Sequence, residues 1–152
     1  MMNNNVIGES PSQKRGLGAS LRLANHLYGK LLQKRLIDSD LSMAQYIHLR
    51  TLKEEGRLSQ SELSAQLGIE KASSTRVLDE LAQRNLIRRE RHKQDRRMII
   101  VSLSEEGHKK IDEAMSSAKV AARLASENFD EGELLQLFAS LDKIIKTLST
   151  AT

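Results

Sequence analysis

Gly68 closes a short helix and leaves only Ile69 and Glu70 before another helix must begin. The first of these helices opens at Ser59-Gln60-Ser61-Glu62, a capping box in which serine and glutamate satisfy each other's backbone N–H groups. It runs through Leu63 and Leu67, and glycine supplies a left-handed exit without a Cβ penalty. The second spans about Lys71 to Arg84, with Val77, Leu78 and Leu81 turned inward. Two helices joined by so tight a turn make a helix-turn-helix, although any helical hairpin can imitate the spacing.

The period then changes. Leu86 to Arg91 and Met98 to Leu103 are strand-like, the second rich in β-branched residues. Between them, His92-Lys93-Gln94-Asp95-Arg96-Arg97 is polar and mostly cationic, which suits an exposed hairpin tip. A basic hairpin directly after a helix-turn-helix is a wing.

Upstream, Leu17, Leu21, Ala24, Leu27, Leu31 and Leu32 set a helical stripe within a single long helix from Gln13 to about Ile37. Ser42-Met43-Ala44-Gln45 caps a helix ended by Gly56, with Tyr46, Leu49 and Leu52 inside. Downstream, Ser104 caps a helix reaching about Glu127, its acids Glu105 and Glu106 suiting the positive end of the dipole. Asp130 opens the last helix, which aligns Leu134, Leu137, Phe138, Leu141, Ile144, Ile145 and Leu148. The first and last stripes exceed what a small winged lobe can bury, and a monomer would expose a large apolar patch.

Charge is concentrated. Residues 71–97 carry nine Lys/Arg against four acids, a local +5 in a chain of net +4, so the remainder sums to −1. A solvated face accounts for many charge runs, but neutralising a phosphate backbone requires such a patch. With 152 residues the chain fits one domain, and the absence of cysteine excludes disulfides, Cys-ligated zinc and thiol redox switching. No apolar run spans a membrane, and the polar start, Met1 to Gln13, is expected to fray in a cytoplasmic protein.

From Leu17 to Leu148 the chain resembles the MarR family of winged-helix regulators. The likeness is carried by Leu63-Ser64-Ala65-Gln66-Leu67-Gly68-Ile69 leading into Arg76-Val77-Leu78-Asp79-Glu80-Leu81, and by Leu86-Ile87-Arg88-Arg89. Asp95-Arg96-Arg97 and Val101-Ser102-Leu103-Ser104-Glu105-Glu106-Gly107 complete it. Asn85 stands where the family commonly has glycine, and Ala72 where several relatives have proline. The resemblance implies a mainly α fold with a small β-hairpin wing (α+β), one domain over 13–152 after a disordered leader, 1–12. Within it, 42–103 form the winged helix-turn-helix lobe, and 13–37 and 104–152 the dimerisation helices. It further implies a homodimeric transcriptional regulator on a pseudo-palindromic operator, a repressor released by a small anionic or aromatic effector. Its place would be the cytoplasm, at a bacterial or archaeal nucleoid. A ligand-independent architectural winged-helix protein is the alternative.

The candidate DNA-binding residues are Ser59 and Gln60, then Lys71, Ser73, Ser74 and Arg76 on the recognition helix, and Arg91, Lys93, Asp95, Arg96 and Arg97 on the wing. The Arg76 fork can pair with guanine or merely touch phosphate. Ser59 is also explained by capping alone. A slender cationic wing suits a narrow minor groove, and Asp95, two residues from Arg97 on a strand, can hold its guanidinium. A turn-stabilising Asp95 beside a solvated Arg97 is the other account. For an effector, Arg22 and His26 share one helix face and Tyr46 and Arg50 another, though Tyr46 also belongs to a core stripe. An enzyme is not expected, nor a metal or cofactor. The four histidines lack ligand spacing, and there is no phosphate loop or nucleophile motif.

Overall fold

The structure, a computed structural model, describes residues 8–152, so residues 1–7 of the expected leader lie outside the described residues. The chain enters a helix earlier than the stripe suggests. Ser10 and Gln13 form a capping box around Pro11, opening α1 (Pro11–Arg15), so residues 11 and 12 belong to a capped turn and not to a disordered leader. The single helix expected from Gln13 is two, because Gly16 takes φ +87° and separates α1 from α2 (Leu17–Leu36). A 3-10 turn, Ile37–Ser39, and a left-handed Asp40 follow.

The next segments begin and end at the expected caps. Ser42 and Gln45 close the box that starts α3 (Met43–Glu55), and Ser59 and Glu62 close the one that starts α4 (Gln60–Leu67). Gly68 is left-handed, and α5 (Lys71–Gln83) follows. Asn85 leaves that helix at φ +57°, a left-handed conformation that asparagine tolerates. The wing strands are β2 (Ile87–Arg91) and β3 (Ile99–Leu103), and a third strand joins them: β1 (Leu58–Ser59) pairs Leu58 with Val101 and Ser59 with Ile100. The sheet is antiparallel in the order β1-β3-β2. Two residues are too few to show an alternation, so β1 has no periodic signal.

Helix α3 is the hub. Its Tyr46, Leu49 and Leu52 are buried with Leu63 of α4, Leu78 and Leu81 of α5 and Val101 of β3. α6 (Glu105–Ala125) closes the core with Ile111, and its small Ala114, Ala118 and Ala121 let α2 pack along it.

The joint between β3 and α6 is tight. Ser104 Oγ donates to Asn85 O at 2.6 Å and accepts from Gly107 N at 2.9 Å, while Ser104 N donates to Leu86 O at 3.1 Å. A Cβ on Gly107 would overlap that same Leu86 carbonyl oxygen. Because a backbone oxygen cannot swing aside, Gly107→Ala is expected to cost about 3 kcal/mol or more, the upper end for overpacking. Urea denaturation checks this, and a midpoint equal to wild type would mean that α6 shifts freely.

α7 (Glu131–Ala151) differs from every other long helix in burying no residue. Leu135, Phe138, Ile145 and Leu148 are each more than half exposed. An apolar groove of about 440 Å³ lies between the two ends of the chain, lined by Leu17, Leu21, Ile144 and Leu148 among others. No helix among the described residues is long and apolar enough to cross a membrane.

Candidate nucleic-acid interface

The first turn of α5 has no side-chain cap, because its N-cap residue, Glu70, makes no hydrogen bond to it. Its leading N–H groups and the positive end of its dipole therefore stay available to an anion. Lys71, Ser73 and Arg76 are exposed around that end. Ser74, expected beside them, is instead buried at 2% exposure with its hydroxyl 3.0 Å from His48 Nε2, so it is removed from the surface. Thr75, which the sequence reading passed over, is exposed between Ser74 and Arg76, and its hydroxyl donates to Lys71 O. A helical wheel centred on Val77, Leu78 and Leu81 would have placed it outward.

At the start of α4, Ser59 is buried and accepts from Glu62 N at 3.0 Å, while Glu62 Oε2 accepts from Ser59 N at 2.8 Å. Its hydroxyl is occupied by the cap. Gln60 is half-buried, and its Oε1 lies inside without a hydrogen-bond partner.

The wing tip is ordered by its own side chains. Arg91 Nη1 donates to Arg96 O at 2.8 Å. His92 Nδ1 accepts from both Gln94 N and Asp95 N, at 3.2 and 3.1 Å. Asp95 and Arg97 do meet, but on a turn and not along a strand. One oxygen, Asp95 Oδ1, accepts from the Arg97 backbone N–H at 3.1 Å and from Arg97 Nε at 3.3 Å. The two accounts of Asp95 are thus one structure: the carboxylate that makes the turn also orients the guanidinium. The Arg97 side chain is 93% exposed beyond it. Arg96 and Lys93 are exposed beside it.

Wing and recognition helix are fastened together by a residue outside the expected set. Arg89 Nη1 donates to Asp79 Oδ1 at 2.7 Å across the β2–α5 contact. Arg57 similarly pairs with Glu90 at 3.1 Å. The consequence for charge is simple. All four acids of residues 71–97 are engaged inside the protein: Asp79 with Arg89, Glu80 with Gln45, Glu90 with Arg57 and Asp95 with Arg97. Lys71, Arg76, Arg88, Arg91, Lys93 and Arg96 have no ion pair among the described residues. A surface with its acids internally matched and its cations free suits a polyanion.

The four effector candidates separate. Tyr46 and Arg50 line a cavity of about 150 Å³ between α2, α3 and α6, with Tyr28, Met115 and Lys119. Arg50 Nε donates to Glu54 at 2.9 Å and Nη1 to Tyr46 OH at 3.4 Å. Those contacts, the Glu54 bond foremost, raise its pKa and keep it cationic. Arg22 and His26 are exposed on α2 and do not line this cavity.

Comparison with known proteins gives a consistent picture. The family model described as the MarR family matches residues 41–99. An HTH-type transcriptional regulator of Mycobacterium bovis is 32% identical over 127 residues, 82% of this chain and 89% of the relative. The HTH-type transcriptional repressor NicR of Pseudomonas putida is 27% identical over 129 residues, 85% of this chain and 82% of its own length. Among solved structures, Bordetella bronchiseptica BpsR, described for regulation of its DNA binding by 6-hydroxynicotinic acid, superposes with a TM-score of 0.77 at 24% identity. That match covers 84% of this chain and 96% of BpsR.

Proposed function

The chain belongs to the MarR family of HTH-type transcriptional regulators, and from that premise we propose that it is a homodimeric repressor of a pseudo-palindromic operator, released by a small aromatic anion. The observation that carries the DNA-binding part is the set of unpaired cations on the α5 N-terminus and wing, beside acids that are all internally matched. In this reading Arg76 contacts a base edge, and Lys71 and Ser73 contact phosphate. Arg91, Lys93, Arg96 and Arg97, oriented by Asp95, follow a groove. Ser59 supports the lobe as a cap. The apolar face of α7 and the facing end of α2 support a second copy, which would place two α5 helices about 34–36 Å apart, one DNA turn. Selection of bound fragments from genomic DNA tests the proposal: a pseudo-palindromic consensus is expected. Sequence-blind binding would favour the architectural alternative.

For the effector, the cavity beside Tyr46 and Arg50 supports a single-ring carboxylate. It is smaller than the roughly 300–1,000 Å³ of drug-sized sites, its wall is apolar at Met115 and Ala118, and Arg50 and Lys119 supply charge. The DNA binding of BpsR is regulated by 6-hydroxynicotinic acid, an acid of this kind. Release requires the ligand to prefer the non-binding spacing of the lobes, by about 5.5 kcal/mol for a 1:99 to 99:1 shift. With an aromatic carboxylate found by thermal shift, Arg50→Ala is expected to raise the releasing concentration by about tenfold or more, the worth of one charged hydrogen bond. Arg22→Ala, outside the cavity, serves as the comparison. An unchanged Arg50→Ala response, or a larger one for Arg22→Ala, places the ligand elsewhere.

A further inference from the structure

His48 is 1% exposed at the centre of the winged lobe, and none of its polar atoms belongs to the interface above. Its Nδ1 lies 2.7 Å from Ala44 O, one helical turn back, and its Nε2 lies 3.0 Å from Ser74 Oγ. A carbonyl oxygen only accepts, so Nδ1 carries a proton. Desolvation holds the ring's pKa below the ordinary imidazole value, against a smaller opposing effect of the Ala44 bond, so the ring is neutral. Nε2 is therefore a lone-pair acceptor, and the Ser74 hydroxyl donates to it.

This bond occupies a particular place. Among the described residues it is the only side-chain hydrogen bond from α3 to the first half of α5. The other polar ties gather at the far end, where Gln45 Nε2 donates to Glu80 at 3.1 Å and Arg84 Nη1 donates to Gln45 Oε1 at 3.0 Å. The fully buried apolar anchors of α5, Leu78 and Leu81, also lie in its second half. Apolar packing tolerates a small slide or rotation of a helix, whereas a hydrogen bond with a fixed tautomer accepts a narrow range of distance and angle. Ser74 is flanked by Ser73 and Thr75 and lies two residues from Arg76, so a shift there moves each of them.

We propose that His48 is a positioning residue for DNA recognition, its Nε2 acceptor fixing through Ser74 the height and rotation at which α5 presents Lys71, Ser73 and Arg76. The inference rests on the DNA-binding reading above. Ser74→Ala removes only the donor; His48→Phe removes both ring nitrogens and keeps the volume; His48→Gln retains an amide oxygen that can accept from Ser74. Operator affinity, read by fluorescence anisotropy on the selected fragment, is expected to fall about tenfold in Ser74→Ala and His48→Phe, within what one misplaced bidentate base contact costs. The double variant should be no weaker than the weaker single one, His48→Gln should recover much of the loss, and binding to random DNA, which rests on phosphate contacts alone, should fall less than operator binding. Long-range 1H–15N NMR of the wild type should show the His48 proton on Nδ1, a result that needs no variant to fold. Full-strength operator binding by Ser74→Ala, losses that add in the double variant, or a proton on Nε2 would each overturn the proposal alone. A wild type that selects no operator overturns it together with the function it rests on.

Discussion

Arg97→Ala should weaken operator binding by about a hundredfold or more while leaving the fold and the proposed dimer intact. The side chain is 93% exposed, and among the described residues its hydrogen bond and ion pair are to Asp95 alone, so the core has no stake in it. A hydrogen bond to a charged group contributes about 1.5–3 kcal/mol, and a homodimer loses it at both wings. If the contact is to phosphate, the slope of log affinity against log salt should shrink by about 1 for each wing. Asp95→Ala keeps the cation and loses the oxygen that makes the turn and aims the guanidinium, so the expected effect has the same sign and is smaller. Anisotropy titrations at two salt concentrations measure both. Wild-type affinity for Arg97→Ala removes the wing from the DNA-binding surface.

Deleting residues 130–152 should abolish the proposed dimer and, with it, most of the operator affinity. α7 has no fully buried residue within its own chain, and Leu135, Phe138, Ile145 and Leu148 stay more than half exposed. Each large apolar side chain taken out of water contributes about 1.5–3 kcal/mol, so a second copy is what would make this helix stabilising. The truncated lobe keeps its core of Leu49, Leu63, Leu81 and Ile111 and should fold as a monomer. Its melting temperature should stop rising with protein concentration. Operator affinity should drop by about 10²–10⁴, because two linked lobes bind as one bivalent ligand and one lobe does not. Light scattering that still reports a dimer after truncation would refute the shared helical face.

Both results depend on features legible to different degrees before any fold was known. The capping boxes at Ser42–Gln45 and Ser59–Glu62 join residues three apart and form as the spacing implies, and Asp130 opens the last helix as expected, with Glu133 completing a further box. Gly68 and Asn85 take the left-handed conformations that end their helices, and Asp95 reaches Arg97 two residues on. Even here a local pattern was missed: the Ser10–Gln13 box opens a separate short helix ahead of Gly16. The Asp95–Arg97 contact was expected for the wrong geometry, since a turn and not a strand brings the pair together.

What the chain order alone determined, then, is the succession of most helices and the two wing strands and the basic character of residues 71–97, because caps, turns and periodicity act within a few residues. The tertiary structure decided which of those charges remain free and which polar groups stay at the surface. Ser74, four and seven residues before Leu78 and Leu81, already lies on the inward side of α5, but only the fold supplies its partner, His48, 26 residues away. Arg89 resembles Arg88 in the sequence, but only Arg89 meets Asp79. β1 exists because β3 offers it unpaired backbone groups. The cavity at Tyr46 and Arg50 arises where three helices meet, and Arg22 is left outside it. Each outcome depends on a partner distant in sequence, and burial, hydrogen bonding and charge pairing are properties of the pair: neither residue determines them until the chain has brought both together.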